Sequence, residues 1–187
     1  MIKLGLNQKL HLDKLMERIY KNLYLGSFAE VQDIKKGKLP VLKACLSVGS
    51  EFSLSDVSST QFEGVLDIIL PDLNLIGVNH LQLSIDDGSD NAICKILPEA
   101  ITFIDNNIHS GVYVHCFAGV SRSASIVYAY MLYKGEDPIK AFEKMTSRHG
   151  VVHPYREFIS EILDYFQMPS KNIIMKELNS GLYKYPS

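Results

Sequence analysis

A chain of 187 residues, 47 % of them hydrophobic and 21 % charged, has the balance of a single water-soluble domain spanning 1–187 with a substantial core. A formal net charge of −2 and a pI of about 6.3 supply no basic field, so nucleic acid and an anionic membrane surface are not expected partners. Three widely spaced cysteines (Cys45, Cys94, Cys116) fit neither a disulfide framework nor a zinc site and suit a reducing compartment.

The first residues carry no apolar signal block, and Ile2 stands where N-myristoylation requires glycine. With no apolar run of membrane-spanning length, the expected location is the cytoplasm or nucleus. Leu6, Leu10, Leu15, Met16 and Ile19 recur at helical intervals, which predicts an amphipathic helix over about 1–18. Residues 19–26 read as a strand pair closed by Gly26, and Ser27 is placed to cap a short helix that stops at Gly37. Strands are predicted over 41–48, 65–70 and 80–85, with a Ser-rich loop over 49–61.

Apolar residues from Ile93 to Ile108 keep a helical rhythm, disturbed locally by Pro98. A strand at 112–114 precedes a helix at 122–133 that is apolar nearly all round, as a buried central helix would be. Asp137 and Pro138 are suited to the cap and first position of the next helix, running to Arg148. Pro154 starts a further helix with Phe158, Ile159, Ile162, Leu163 and Phe166 on one face; the tail 169–187 reads equally as a short helix or an extended arm. Strands mixed with helices, then helices alone, predict an α/β fold: a central mixed, largely parallel sheet flanked by helices on both sides.

The chemistry concentrates at His115-Cys116-Phe117-Ala118-Gly119-Val120-Ser121-Arg122. A strand delivers Cys116, five uncharged residues follow, and Arg122 opens a helix. Such a loop can turn its backbone N–H groups inward as an anion nest, and the helix N-terminus reinforces it. The planar fork of Arg122 suits two phosphate oxygens, and the positive potential favours a thiolate at Cys116.

The run HCFAGVSRSAS resembles the signature of the dual-specificity protein phosphatases, in the cysteine-dependent protein tyrosine phosphatase superfamily, and the resemblance covers about residues 18–167. It implies a protein tyrosine phosphatase-like fold of the small single-domain type and metal-independent hydrolysis through a phosphocysteine at Cys116. It further implies phosphate binding by the amides of Phe117, Ala118, Gly119, Val120, Ser121 and Arg122, loop orientation by His115, and a Ser123 hydroxyl on the sulfur. Ser123 can equally satisfy a backbone group in the first helical turn. The general acid is sought in the loop holding Asp86, Asp87 and Asp90; alignment on the following helix favours Asp87 over Asp86, with Asp90 as a helix cap.

The variable cradle positions hold no lysine, which disfavours phosphoinositides, and no long pocket-deepening loop is evident. The implied partner is therefore a phosphoprotein carrying phosphotyrosine or phosphoserine/phosphothreonine, with no cofactor and no assigned oligomeric state. One departure is Tyr155, where the family usually has an asparagine that braces the signature loop. It keeps open a rival reading as a weakly active pseudophosphatase that binds phosphoproteins. A non-protein phosphate substrate is a second rival. A redox role lacks a Cys-x2-Cys pair, although Cys45 and Cys94 can be weighed as resolving thiols or as buried structural ones. His149 and His153 have no carboxylate or cysteine in ligand spacing, so no metal is expected.

Overall fold

The computed structural model describes residues 17–37, 42–54, 68–88, 93–148, 151–169 and 171–179. Its main sheet has five strands: β1 (Glu17–Tyr20), β2 (Leu23–Ser27), β3 (Ala44–Val48), β6 (Asn79–Leu83) and β7 (Val112–Cys116), in the order β1-β2-β7-β3-β6. Among the described strands of this sheet β1 and β2 pair antiparallel, while β2, β7, β3 and β6 run parallel. A separate parallel pair joins β4 (Phe52–Leu54) to β5 (Ile68–Leu70). Six α-helices are described: α1 (Val31–Lys35), α2 (Ile93–Asn107), α3 (Arg122–Tyr133), α4 (Pro138–Arg148), α5 (Arg156–Tyr165) and α6 (Lys171–Asn179).

Period-two alternation sorts the strand side chains into two cores. Leu23, Leu25, Ala44, Leu46, Val112 and Val114 face one way and pack with buried residues of α2, α3, α4 and α5. Tyr24, Cys45 and Tyr113 face the other way and pack with Val31, Ile34, Leu42, Leu73 and Val78. The sheet is thus covered on both faces, as parallel sheets require and as the sequence predicts. Helix α3 is buried from Arg122 to Leu132, in keeping with its unbroken apolar composition.

Local rules explain several boundaries. Ser27 and Glu30 form a capping box before α1: Ser27 Oγ accepts from Ala29 N at 3.2 Å, while Glu30 Oε2 accepts from Ser27 N at 2.9 Å. Asp137 Oδ1 accepts from Lys140 N at 3.0 Å at the start of α4, and Pro138 is its first residue.

Three expectations need correction, and one left open is decided for the described residues. Residues 17 and 18, assigned to the N-terminal helix, belong to β1, because pairing with β2 buries Ile19 and Tyr20 completely or nearly so; residues 1–16 lie outside the described set. Within the Ser-rich stretch read as loop, 52–54 form β4. The fifth helix begins at Arg156 rather than Pro154, since Tyr155 is extended at φ −58°, ψ 132°. Of the two readings of the tail after Pro169, the described part takes the helical one, with Ile174 of α6 buried against the core.

The parallel register has one consequence for function. The carboxyl ends of β2, β7, β3 and β6 all open on the same edge of the sheet, where open α/β sheets place their ligand sites.

Candidate active site

Cys116 ends β7 opposite Ser27 in the register and is 2 % exposed. The loop beyond it curls because Gly119 adopts φ +72°, a region that a Cβ disfavours. Space forbids a side chain there as well, since a Cβ on Gly119 would lie 2.6 Å from the carbonyl oxygen of Gly26. Two carbonyls tie the loop outward: Phe117 O accepts from Phe28 N at 3.1 Å, and Val120 O accepts from His153 N at 2.8 Å. In a trans peptide the N–H opposes the C=O, so the amides of Ala118 and Ser121 point the other way, into the loop.

Ser123 lies in the first turn of α3, and its Oγ donates to Cys116 Sγ at 3.2 Å. Arg122, the first residue of that helix, is buried. Its Nη1 donates to Glu51 Oε2 at 2.5 Å and approaches Ile85 O at 3.5 Å. Its Nε is buried without a hydrogen-bond partner among the described residues and lies 3.9 Å from Asp87 Oδ2. Burial works against the guanidinium charge, but the bond to Glu51 and the surrounding negative groups outweigh it, so its pKa is raised. A buried, charged donor edge beside a thiol is what an anion with several oxygens requires.

His115 does not face solvent or a substrate. Its Nδ1 lies 3.2 Å from the carbonyl of Cys116, and its Nε2 lies 2.6 Å from Ser47 Oγ; the same Oγ is 2.8 Å from His80 Nε2. A carbonyl only accepts, so Nδ1 of His115 carries the proton and Nε2 accepts from the Ser47 hydroxyl. That hydroxyl must then accept from Nε2–H of His80. Burial pushes the His115 pKa down to about 3 and that of His80 down to about 4, so both rings are neutral at ordinary pH. This row of hydrogen bonds across β6, β3 and β7 holds the peptide of Cys116.

The two aspartates after β6 have different partners. Asp86 accepts from Ser50 Oγ, whereas Asp87 Oδ1 accepts from Ser121 Oγ at 2.7 Å. Asp87 is therefore held at the cradle and Asp86 is turned to the β3–β4 connection, which separates the two candidates. Asp90 and His149 lie outside the described residues. Tyr155 braces the signature loop with its backbone: its N–H donates to Ser121 Oγ at 3.1 Å. Among the described residues no three His, Cys, Asp or Glu side chains gather as metal ligands.

The structure thus brings Cys116, Arg122, Ser123, Asp87 and the loop 117–121 together, with His115 directly behind them. Sequence reasoning missed Glu51, Ser47 and His80. The one signal for Glu51 was an acid just beyond a strand whose parallel pairing with β7 is visible only in the sheet order.

A curled loop and a buried arginine around a thiol at the carboxyl edge of a parallel sheet are the layout of a cysteine-based phosphatase domain. The chain belongs to the dual specificity phosphatase catalytic-domain family, which matches residues 23–168. It is 31 % identical over 144 residues to mouse dual specificity protein phosphatase 2, covering 75 % of this chain and 40 % of that protein. To the tyrosine-protein phosphatase yvh1 of Schizosaccharomyces pombe it is 27 % identical over 155 residues, covering 81 % of this chain and 42 % of that one. The chain thus spans under half the length of these two relatives. Human DUSP28 shares the fold at a TM-score of 0.64 and 20 % identity, with 83 % of this chain and 95 % of that chain covered. A mouse putative dual specificity phosphatase complexed with zinc tungstate does so at 0.63 and 20 %, covering 85 % and 91 %.

Proposed function

We propose that this chain hydrolyses phosphotyrosine and phosphoserine/phosphothreonine in proteins through a phosphocysteine at Cys116, without a metal ion. The observation that carries the reading is the Ser123 Oγ–Cys116 Sγ bond of 3.2 Å beside the buried guanidinium of Arg122, whose Nε has no hydrogen-bond partner among the described residues. In the first step the Cys116 thiolate attacks phosphorus, the S–P bond forms and the ester O–P bond breaks. Arg122 and the loop amides hold the equatorial oxygens, and Asp87 gives its proton to the departing alkoxide or phenoxide. In the second step water attacks phosphorus, Asp87 takes the water proton, and the S–P bond breaks to release phosphate. The Ser123 hydroxyl stabilises the thiolate as it leaves.

Two features support a phosphoprotein substrate. The cradle positions 117–121 bring no lysine, and the side chain at its rim is Phe117, 54 % exposed, an apolar surface that suits a peptide segment. All three cysteines are free, which fits action in the cytoplasm or nucleus, where thiols stay reduced. Turnover of para-nitrophenyl phosphate and of phosphotyrosine and phosphoserine peptides, with chelator present, tests the reading. Wild type is expected to turn over all three and Cys116→Ser none. Phosphopeptide binding by wild type without turnover would instead establish a phosphoprotein-binding module.

A further inference from the structure

We propose that the Ser121 hydroxyl is a positioning group for the general acid, gripping Asp87 by Oδ1 so that Oδ2 is the oxygen that moves the proton. This rests on the reading of Asp87 as the acid. Ser121 Oγ donates to Asp87 Oδ1 at 2.7 Å and receives Tyr155 N–H at 3.1 Å. An amide N–H can only donate, so it occupies one acceptor site of the hydroxyl, and an ionised carboxylate can only accept, so the single hydroxyl proton is directed onto Asp87 Oδ1. A proton carried on Oδ2 rather than Oδ1 keeps that direction when the acid is loaded.

Ser121 occupies the N-cap of α3, a position where serine ordinarily bonds a first-turn amide, yet its side chain makes no capping bond. Its hydroxyl is committed to the acid loop instead. The same segment reinforces the loop by packing: the Tyr155 ring lies 3.5 Å from where a Cβ on Gly88 would stand, beside a backbone turned to φ +83°. Tyr155 thus supports Asp87 from two sides, through its amide and through its ring. The remaining oxygen, Oδ2, faces Arg122 Nε at 3.9 Å, the side on which the phosphoryl group would lie.

The bridge survives both steps. With the proton on Oδ2, Oδ1 is a carbonyl oxygen and still accepts from Ser121. After the proton has gone to the leaving oxygen, Oδ1 accepts as part of a carboxylate. Only Oδ2 changes protonation, so the acid need not reorient between steps.

The test compares wild type, Ser121→Ala, Ser121→Thr, Asp87→Ala and the Ser121→Ala/Asp87→Ala double variant on aryl phosphates ranging from good to poor leaving groups. General acid catalysis is worth about 100- to 10,000-fold, so misplacing the acid should lower kcat about 10-fold or more on phenyl phosphate and far less on the most activated ester. We expect Ser121→Ala to steepen the leaving-group dependence in the manner of Asp87→Ala, Ser121→Thr to restore it, and the double variant to lose no more than Asp87→Ala alone. An unchanged slope in Ser121→Ala, with a steeper one in Asp87→Ala, overturns the proposal by itself, as does a multiplicative loss in the double variant. An unchanged slope in Asp87→Ala removes the acid assignment, and the proposal falls with it.

Discussion

Arg122 has two tasks that its surroundings divide between its nitrogens. Nη1 is held by Glu51, whereas Nε has no hydrogen-bond partner among the described residues and lies 3.9 Å from Asp87 Oδ2. A charge-assisted hydrogen bond is worth about 1.5–3 kcal/mol, so Glu51→Gln should cost about 10- to 100-fold in kcat/KM and weaken inhibition by vanadate in parallel. Unchanged kinetics and vanadate affinity would show that Arg122 is positioned without Glu51. Gly119 is constrained twice, by φ +72° and by the Gly26 carbonyl oxygen 2.6 Å from a would-be Cβ. Left-handed backbone at a non-glycine residue costs about 1–3 kcal/mol before any clash. Gly119→Ala should therefore lower the thermal midpoint by several degrees and reduce turnover, as calorimetry and steady-state rates would show. At this scale the sequence reveals what lies close together in it: Cys116, Arg122 and Ser123 declare themselves through one short run. Glu51 and Ser47 reach the site through strand pairing, which leaves no local signal.

Among the elements, those ruled by local chemistry are legible and those ruled by partners are not. Helix α3 matches its predicted span, and α4 begins at its predicted cap and proline. β1 departs from its helical periodicity because β2 offers a mate whose pairing buries Ile19. β4 hides in a Ser-rich stretch because its strand partner among the described residues is β5, more than ten residues on. Adjacent strands also share a pH response through His80, Ser47 and His115. Both rings are neutral when folded, with pKa values near 4 and 3, against 6.5 for an ordinary histidine. Between those limits the unfolded chain binds more protons, so stability is intact above pH 6.5 and falls as pH drops toward 4 and then 3. The slope approaches about 1.4 kcal/mol per pH unit for each ring. Urea midpoints at pH 7 and pH 5 should show the loss, and His80→Gln should reduce it; an unaltered pH slope in that variant would contradict the account.

For the molecule as a whole, the strand order β1-β2-β7-β3-β6 is the decisive fact. It sets the Cys116 strand at the centre and aligns four carboxyl ends, so segments remote in sequence meet at one edge: Ser27, Gly49–Glu51, Asp86–Asp87 and the loop 117–121. The layer arrangement follows from alternating strands and helices and was predictable. The order itself was not, because parallel strands of similar apolar composition carry no label for their neighbours.

Cys116 as the carrier of the phosphoryl group is tested most directly by trapping the adduct. Ser123→Ala should slow the second step, which needs a stabilised leaving thiolate, and so let the intermediate accumulate. Rapid acid quench of this variant during turnover of a phosphotyrosine peptide, followed by mass mapping, should find phosphate on Cys116. Continued turnover with no adduct on Cys116 at any quench time would show that the phosphoryl group does not pass through this thiol.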